Sequence, residues 1–289
     1  MRSLWYEKCA VHWEEALPLG NGRLGAMVFG NPVHERVALN EDTLWSGYLK
    51  DACNPAAASH FAEARALALA GRLREAQLLI ESRMLGGFTQ SYLPLGDLLI
   101  DFLDVGPVTG YRRFLNLDAA THLTRFTRTG VGYEMEVFAS HPAQALFLRL
   151  SADTPGALDF TLRLNSPLRH EVRAAGLRID MDALAPSDVV PSYLDCDDPI
   201  RYFDEPEKRG MRCRASALLR LDGGRCAAEG GALTVSGATS AVVVLAARTS
   251  FAGYDRHPYL NGADEAALVE ADLAALANLS FDDARDAHA

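Results

Sequence analysis

From about residue 92 onward, apolar and polar positions alternate with a period of two. In ALDFTLRLN (157–165), Leu158, Phe160, Leu162 and Leu164 alternate with Asp159, Thr161, Arg163 and Asn165. That period puts one set of side chains on each face of a half-buried strand. GYEMEVFAS (132–140) places Tyr133, Met135, Val137 and Ala139 together, and LRIDMD (177–182) does the same for Leu177, Ile179 and Met181. DLLIDFL, QALFLRL, RCRASALLRL and AVVVLAART read as further strands. Near the N-terminus, RLGAMVF (23–29) and HERVALN (34–40), split by the turn signal GNPV, predict a hairpin. The period changes between residues 54 and 82. Asn54 followed by Pro55 is a helix start, PAAASHFAEARALALA runs to a stop at Gly71, and Leu73, Ala76, Leu79 and Ile80 share one face of a second helix. A helical hairpin (about 55–82) is therefore inserted in a β context. Asp264 can cap a last helix, EAALVEADLAALANL, with Val269, Leu273 and Leu276 on one stripe.

Many strands at short spacing, with turns between, predict a mainly β fold: a large two-sheet antiparallel β-sandwich with an inserted helical hairpin and a C-terminal helix. Residues 183–211 hold four prolines and seven acidic residues and read as one long loop. A loop of that length in a compact domain is commonly functional. The 289 residues and 49% apolar content allow a sizeable core. The net charge of −10 argues against nucleic acid as a partner. The longest apolar run, AVVVLAA (241–247), is too short to cross a bilayer. The N-terminus carries no apolar run of signal-peptide length and the five cysteines are scattered, so a cytoplasmic setting with reduced thiols is expected.

Two short stretches carry the candidate chemistry. LGNGRLG (19–25) is neither a phosphate loop, lacking Gly-Lys-Ser/Thr, nor a dinucleotide fingerprint, since AMVFG and not a helix follows. Its glycines fit a tight turn. Asn21 and Arg23, held on that turn, are placed to meet a ligand or a neighbouring domain. The second stretch, LNEDTLWSG (39–47), sets Asn40, Glu41, Asp42 and Thr43 beside Trp45. An aromatic face with carboxylates suits sugar binding, although a turn-capping Asp and a core Trp explain the same residues. Glu41 and Asp42 are a poor acid/base pair, because neighbours on a strand point to opposite faces. The eight histidines have no metal-ligand spacing, and no G-x-S-x-G nucleophile motif occurs. Neither a metal nor another cofactor is expected.

EEALPLGNGRLGAMVFG, LNEDTLWSG, NPAAASHFAEARALALAGRLREAQLL, YLPLGDLLIDF and YRRFLNLDAA occur in this order, followed by APSDVVPSY, DDPIRYFDE, KRGMR, AARTSF and FDDARDAHA. Together they resemble the N-terminal domain of glycoside hydrolase family 95, the α-L-fucosidases, over essentially the whole chain. The resemblance implies a super-sandwich, then a helical linker, an (α/α)6 barrel and a small β domain. The barrel would hydrolyse terminal α-L-fucosides, or α-L-galactosides, with inversion and without a cofactor. A barrel Glu would be the acid, and barrel Asn and Asp residues would hold the water.

On that reading, residues 1–261 are the sandwich and 262–289 the helical start of the linker. No catalytic residue of the family falls on a position of this sequence, so the isolated chain should be inactive. Asn21, Arg23, Asn40, Glu41, Asp42, Thr43, Trp45 and Tyr193 become candidates for the domain interface or the cleft rim. The expected partners are the barrel and fucosylated or α-L-galactosylated glycans. A face stripped of its barrel should be apolar enough to give a homo-oligomer. The alternative is a free-standing, non-catalytic carbohydrate-binding module.

Overall fold

The computed structural model describes residues 2–289. Strands β1 (Ser3–Tyr6), β2 (Leu17–Gly20), β3 (Leu24–Val28) and β4 (His34–Glu41) come first. The helices α1 (Ala57–Leu69) and α2 (Leu73–Arg83) follow. Next are β5 (Gly96–Phe102), β6 (Val108–Asn116), β7 (Thr121–Arg128), β8 (Val131–Ser140), β9 (Ala145–Ala152) and β10 (Leu158–Asn165). Then come β11 (Arg169–Ala175), β12 (Arg178–Leu184), the two-residue strands β13 (Asp188–Val189) and β14 (Ile200–Arg201), and the long β15 (Arg212–Glu229) and β16 (Ala232–Thr249). Helices α3 (Glu265–Ala275) and α4 (Phe281–His288) close the chain.

The alternating stretches behave as their pattern dictates. In β10 the four apolar residues are buried and the polar ones are half-buried or exposed. The predicted hairpin is β3 paired antiparallel with β4, Leu24 opposite Glu41 and Val28 opposite Val37.

The expected pair of separate sheets is instead one continuous antiparallel sheet of fourteen strands, curled on itself. The cause is the β15–β16 hairpin. Gly230 and Gly231, with φ of +57° and +76°, make its two-residue turn, a conformation that glycine adopts without strain. Strands of 18 residues reach about 60 Å, too long for one flat layer. The register shifts between Asp222 and Gly223. One edge of β16 is covered by β15 along its length. The other edge is divided: Leu233 and Val235 face β10, whereas Ala241–Leu245 pair with β9. Two arms grow from this divided strand, one through β9, β8, β7 and β6 to β1, the other through β10, β5, β4 and β3 to β2. They fold toward each other, so that β2 lies against β7 and β8, and one apolar cluster fills the space between.

The sheet is covered on its outer side where β8, β9 and β16 run. Phe138, Phe147, Val244 and Ala246 meet Val269 and Leu273 of α3 and Phe281 and Ala284 of α4 in a second apolar cluster. These strands are thus buried on both faces, which is why AVVVLAA shows no alternation. Asp264 caps α3 as expected, accepting from the Ala267 N–H at 3.0 Å. Ser280 caps α4. Residues 262–289 are therefore packed on the sheet, with Arg220 donating to the Leu276 and Leu279 carbonyls at 2.6 and 2.5 Å.

The helical hairpin starts later than the Asn54-Pro55 signal suggests. Asn54 does not cap the helix; its Oδ1 accepts from the Ala56 N–H at 3.0 Å and its Nδ2 donates to the Arg83 and Leu85 carbonyls. It closes the base of the hairpin instead. Only Ala64 and Ala76 are buried, while Phe61, Leu69, Leu73 and Leu78 are exposed. The 183–211 stretch is a loop stiffened by the β13–β14 pair, with Phe203 N–H donating to Ser187 Oγ. Among the described residues, no helix is long and apolar enough to cross a membrane.

Candidate functional site

The glycine-rich stretch folds as a hairpin turn. Gly20 pairs with Gly25 across β2 and β3, and Gly22 sits between at φ +91°. Asn21 is buried. Its Oδ1 accepts from the Arg23 and Leu24 N–H groups at 3.0 and 2.7 Å, and its Nδ2 donates to the Ser140 carbonyl at 2.9 Å. Arg23 is similarly spent. Its guanidinium donates to Gln144 Oε1 at 2.9 Å, to the Gln144 carbonyl at 2.6 Å and to the Ala247 carbonyl, and Asp272 of α3 lies 3.8 Å away. Burial, with Arg248 nearby, lowers its pKa. The two side chains tie the β2–β3 turn to the β8–β9 turn, to β16 and to α3.

The end of β4 separates the two carboxylates, as the strand geometry requires. Glu41 is buried and accepts from the Thr43 N–H at 2.8 Å and the Thr43 hydroxyl at 2.6 Å. Burial raises its pKa against those two bonds. Asp42 is exposed. Thr43 joins Glu41 to Thr249 at the end of β16, with 2.5 Å between the two hydroxyl oxygens. Asn40 hydrogen-bonds Tyr92. The Trp45 indole N–H donates to the Asp42 carbonyl at 3.2 Å, and its ring leans on Tyr92 with centroids 5.4 Å apart. That fixes the ring and leaves the residue 42% exposed.

Trp45 stands at one wall of a cleft of about 570 Å³. Asp42 and Thr43 also line it, together with Tyr48, Phe88, Gln90, Phe251, Tyr254 and Arg256. Three segments meet here: residues 42–52 after β4, 88–90 before β5, and 251–258 after β16. Ser46 bridges the first two by donating to Gln90 Oε1 and accepting from the Ser91 N–H. Of the eight positions singled out in the sequence, Asp42, Thr43 and Trp45 line the cleft, Glu41 braces it from below, and Asn21 and Arg23 lie in the framework. Asn40 lines a separate groove with Trp13, Arg36 and Pro94. Tyr193 is 77% exposed and does not line the cleft. Its loop reaches the Trp45 segment through Gly47 N–H to the Pro186 carbonyl (2.8 Å) and Lys50 to Asp188 (3.2 Å). Gln90, Phe251, Tyr254 and Arg256 were not legible as site residues. Only their position in Gly- and Pro-containing loops marked them.

A second polar group is sealed in the core. Glu35 Oε1 accepts from the Phe29 and Gly30 N–H groups at 3.2 and 3.0 Å, closing the β3–β4 turn, while its Oε2 has no partner. Both ring nitrogens of His122 and Thr124 Oγ1 are also buried and unpartnered. Burial pushes Glu35 up to about 8 and His122 down to about 3. Among the described residues no group of three or more His, Cys, Asp or Glu side chains has metal-binding geometry.

Residues 4–254 match the family described as "Glycosyl hydrolase family 65, N-terminal domain". The chain belongs to this family. It is 30% identical over 250 residues to "Alpha-L-fucosidase 2" of Arabidopsis thaliana, covering 84% of this chain and 29% of that protein. "Probable alpha-fucosidase A" of Aspergillus niger is 34% identical over 149 residues, covering 48% of this chain and 18% of the relative. The chain thus aligns with less than a third of each of these relatives. The solved "Putative kojibiose phosphorylase from human microbiome" has the same fold, with a TM-score of 0.55 at 8% identity, over 99% of this chain and 37% of that one. The resemblance to an N-terminal domain of the fucosidase family is borne out, although the matching family description carries the number 65 and not 95.

Proposed function

We propose that this chain is the N-terminal domain of an α-L-fucosidase-type glycoside hydrolase that works in the cytoplasm on fucosylated or α-L-galactosylated glycans. It carries no hydrolytic centre of its own. The observation that carries this reading is the separation of Glu41 and Asp42. Glycosidases set two carboxyl groups about 5 Å or about 6.5–9.5 Å apart across one bond, both reaching the substrate. Here Asp42 reaches the cleft, whereas Glu41 is buried beneath it and bound to Thr43. Inverting hydrolysis would then belong to a helical barrel.

The surface for that barrel is the one that bears the cleft and the hairpin. Gly87 N–H donates to the Ala52 carbonyl, which fixes the hairpin beside the cleft wall, and Phe61, Leu69, Leu73, Leu85 and Phe88 stay exposed around it. Exposed apolar side chains in that number fit a covered interface. Arg23 and Asn21 hold the strands behind it, and residues 262–289 are the helical start of the linker. Self-association of the isolated chain through the same face is expected. The test is incubation of the purified chain with 2′-fucosyllactose and an aryl α-L-fucoside, with free fucose followed by NMR. No release above the blank is the expected result. Release that persists after repurification, and is lost in Asp42→Asn, overturns the reading.

A further inference from the structure

Most charged side chains on this molecule are already engaged. On β12 and β15, Arg214 pairs with Asp182 at 2.5 Å and Arg178 with Asp180 at 2.7 Å, and Arg212 and Arg248 reach Glu265 and Asp272 at 2.9 and 2.7 Å. The cleft at Trp45 differs. Among the described residues, the Asp42 carboxylate, the Arg256 guanidinium and the Gln90 Nε2 amide take part in no hydrogen bond or ion pair. They line the same space as Trp45, Phe251 and Tyr254, which are 42%, 44% and 90% exposed. A concave site with exposed aromatic rings and a few unspent donors and acceptors has the make-up of a small-molecule site.

The chemistry of the lining narrows the ligand. One free carboxylate and one free guanidinium nearly cancel, and Lys50 is held by Asp188 at 3.2 Å. That balance does not select a polyanion. The Trp45 N–H is consumed by the Asp42 carbonyl, so the indole offers its face and not its edge. A pyranose has the complementary form: an apolar face of C–H groups that packs on an aromatic ring, and a rim of hydroxyls that both donate and accept. Carboxylate, amide and guanidinium together can satisfy both roles. The volume of about 570 Å³ fits one or two sugar rings.

We infer that the Trp45 cleft is a saccharide subsite of this domain. It holds a neutral pyranose residue on the indole face, with Asp42, Gln90 and Arg256 hydrogen-bonding its hydroxyls. The inference deepens the reading of the chain as a glycosidase domain, yet it needs only the cleft. Binding without hydrolysis is its signature.

The test is titration of the full 289-residue chain with L-fucose and with 2′-fucosyllactose. The readouts are tryptophan fluorescence and amide chemical-shift changes. Saturable binding with Kd on the order of 1 mM is expected. Trp45→Ala, Asp42→Asn and Arg256→Ala should each weaken it about tenfold or more, with unchanged circular dichroism. Trp13→Ala, on the separate groove, should leave it intact. If Trp45→Ala fails to fold, the two polar variants, at exposed or unpaired positions, decide the matter. The inference is overturned by no saturable binding of either sugar. It is overturned equally by binding that all three cleft variants leave unchanged. Neither result touches the hydrolysis assay, which fails or succeeds on its own.

Discussion

Glu35→Gln should remove the loss of stability that this fold suffers as pH rises from about 4 to about 8. The side chain is fully enclosed, and burial pushes its carboxyl from an ordinary value near 4.5 to about 8. Arg113 is the charged group that opposes this, but its guanidinium is committed to the Lys8 and Glu15 carbonyls at 2.8 Å each. In the unfolded chain the carboxyl ionises near 4.3. Between these values the folded state holds a proton that the unfolded state has lost. Stability therefore falls with rising pH across that window, by about 1.4 kcal/mol per pH unit for this group, and levels off above about pH 8. The full effect is at most about 5 kcal/mol. Gln keeps the acceptor for Phe29 and Gly30 N–H but cannot ionise. His122 contributes with the opposite pH dependence: its folded pKa is depressed to about 3, so its stability is lost as pH falls below the ordinary histidine range. It is present in both proteins and cancels in their difference. Urea midpoints read by tryptophan fluorescence at about pH 5, 6.5 and 8.5 measure that difference. The variant should match the parent at the acid end and exceed it by several kcal/mol at the alkaline end. A difference that is flat with pH, or that favours the parent at about pH 8.5, refutes the reasoning.

Three further outcomes follow from the packing. Phe281→Ala removes the ring that Phe138 meets edge-on at 5.1 Å and that Arg149 covers at 4.2 Å, and should cost about 3–5 kcal/mol in urea denaturation. A loss below about 1 kcal/mol would mean that α4 is not docked. Arg23→Ala leaves the Gln144 and Ala247 carbonyls without their donor and should cost about 2–4 kcal/mol, with Arg23→Lys restoring little, because an ammonium cannot span the same acceptors. Gly22 has open space where a Cβ would lie but a φ of +91°, so Gly22→Ala should lose about 1 kcal/mol from backbone strain alone; calorimetric melting checks it.

The parts legible in the sequence were those whose pattern is local. β10 and the β3–β4 hairpin carry their register in side-chain alternation, and Asp264 announces α3 by capping chemistry. The sheet's closure was not legible. Nothing in AVVVLAA tells that one edge of β16 is shared between β9 and β10, because a strand buried on both faces has no polar face to report its neighbours. The site was half legible for a related reason. Trp45 and Asp42 sit in a compact polar run, whereas Phe251, Tyr254 and Arg256 reach the cleft from more than two hundred positions away through the course of β16. Asn21 and Arg23 looked outward because they are polar and stand on a turn. Most of their partners are backbone groups, the Ser140, Gln144 and Ala247 carbonyls among them, which no sequence pattern displays.

The divided strand β16 also sets the order in which the chain can be assembled. It joins the two arms along a single edge and is the last strand to be made. Until it emerges, β9 and β10 each present an unpaired edge, and no strand pairing joins the arms. Roughly 80 residues separate the end of β10 from the end of β16, or about 4–16 s at ordinary rates of synthesis. Through that interval the nascent chain exposes two open sheet edges and the apolar faces behind them, the features that invite aggregation. Closure then comes in one late event, as the β15–β16 hairpin forms from its own two-glycine turn and the free edge of β16 takes up both open edges at once. Helices α3 and α4 follow immediately in sequence and cover the new strand. The yield of this domain in a cell is thereby tied to the final quarter of its chain.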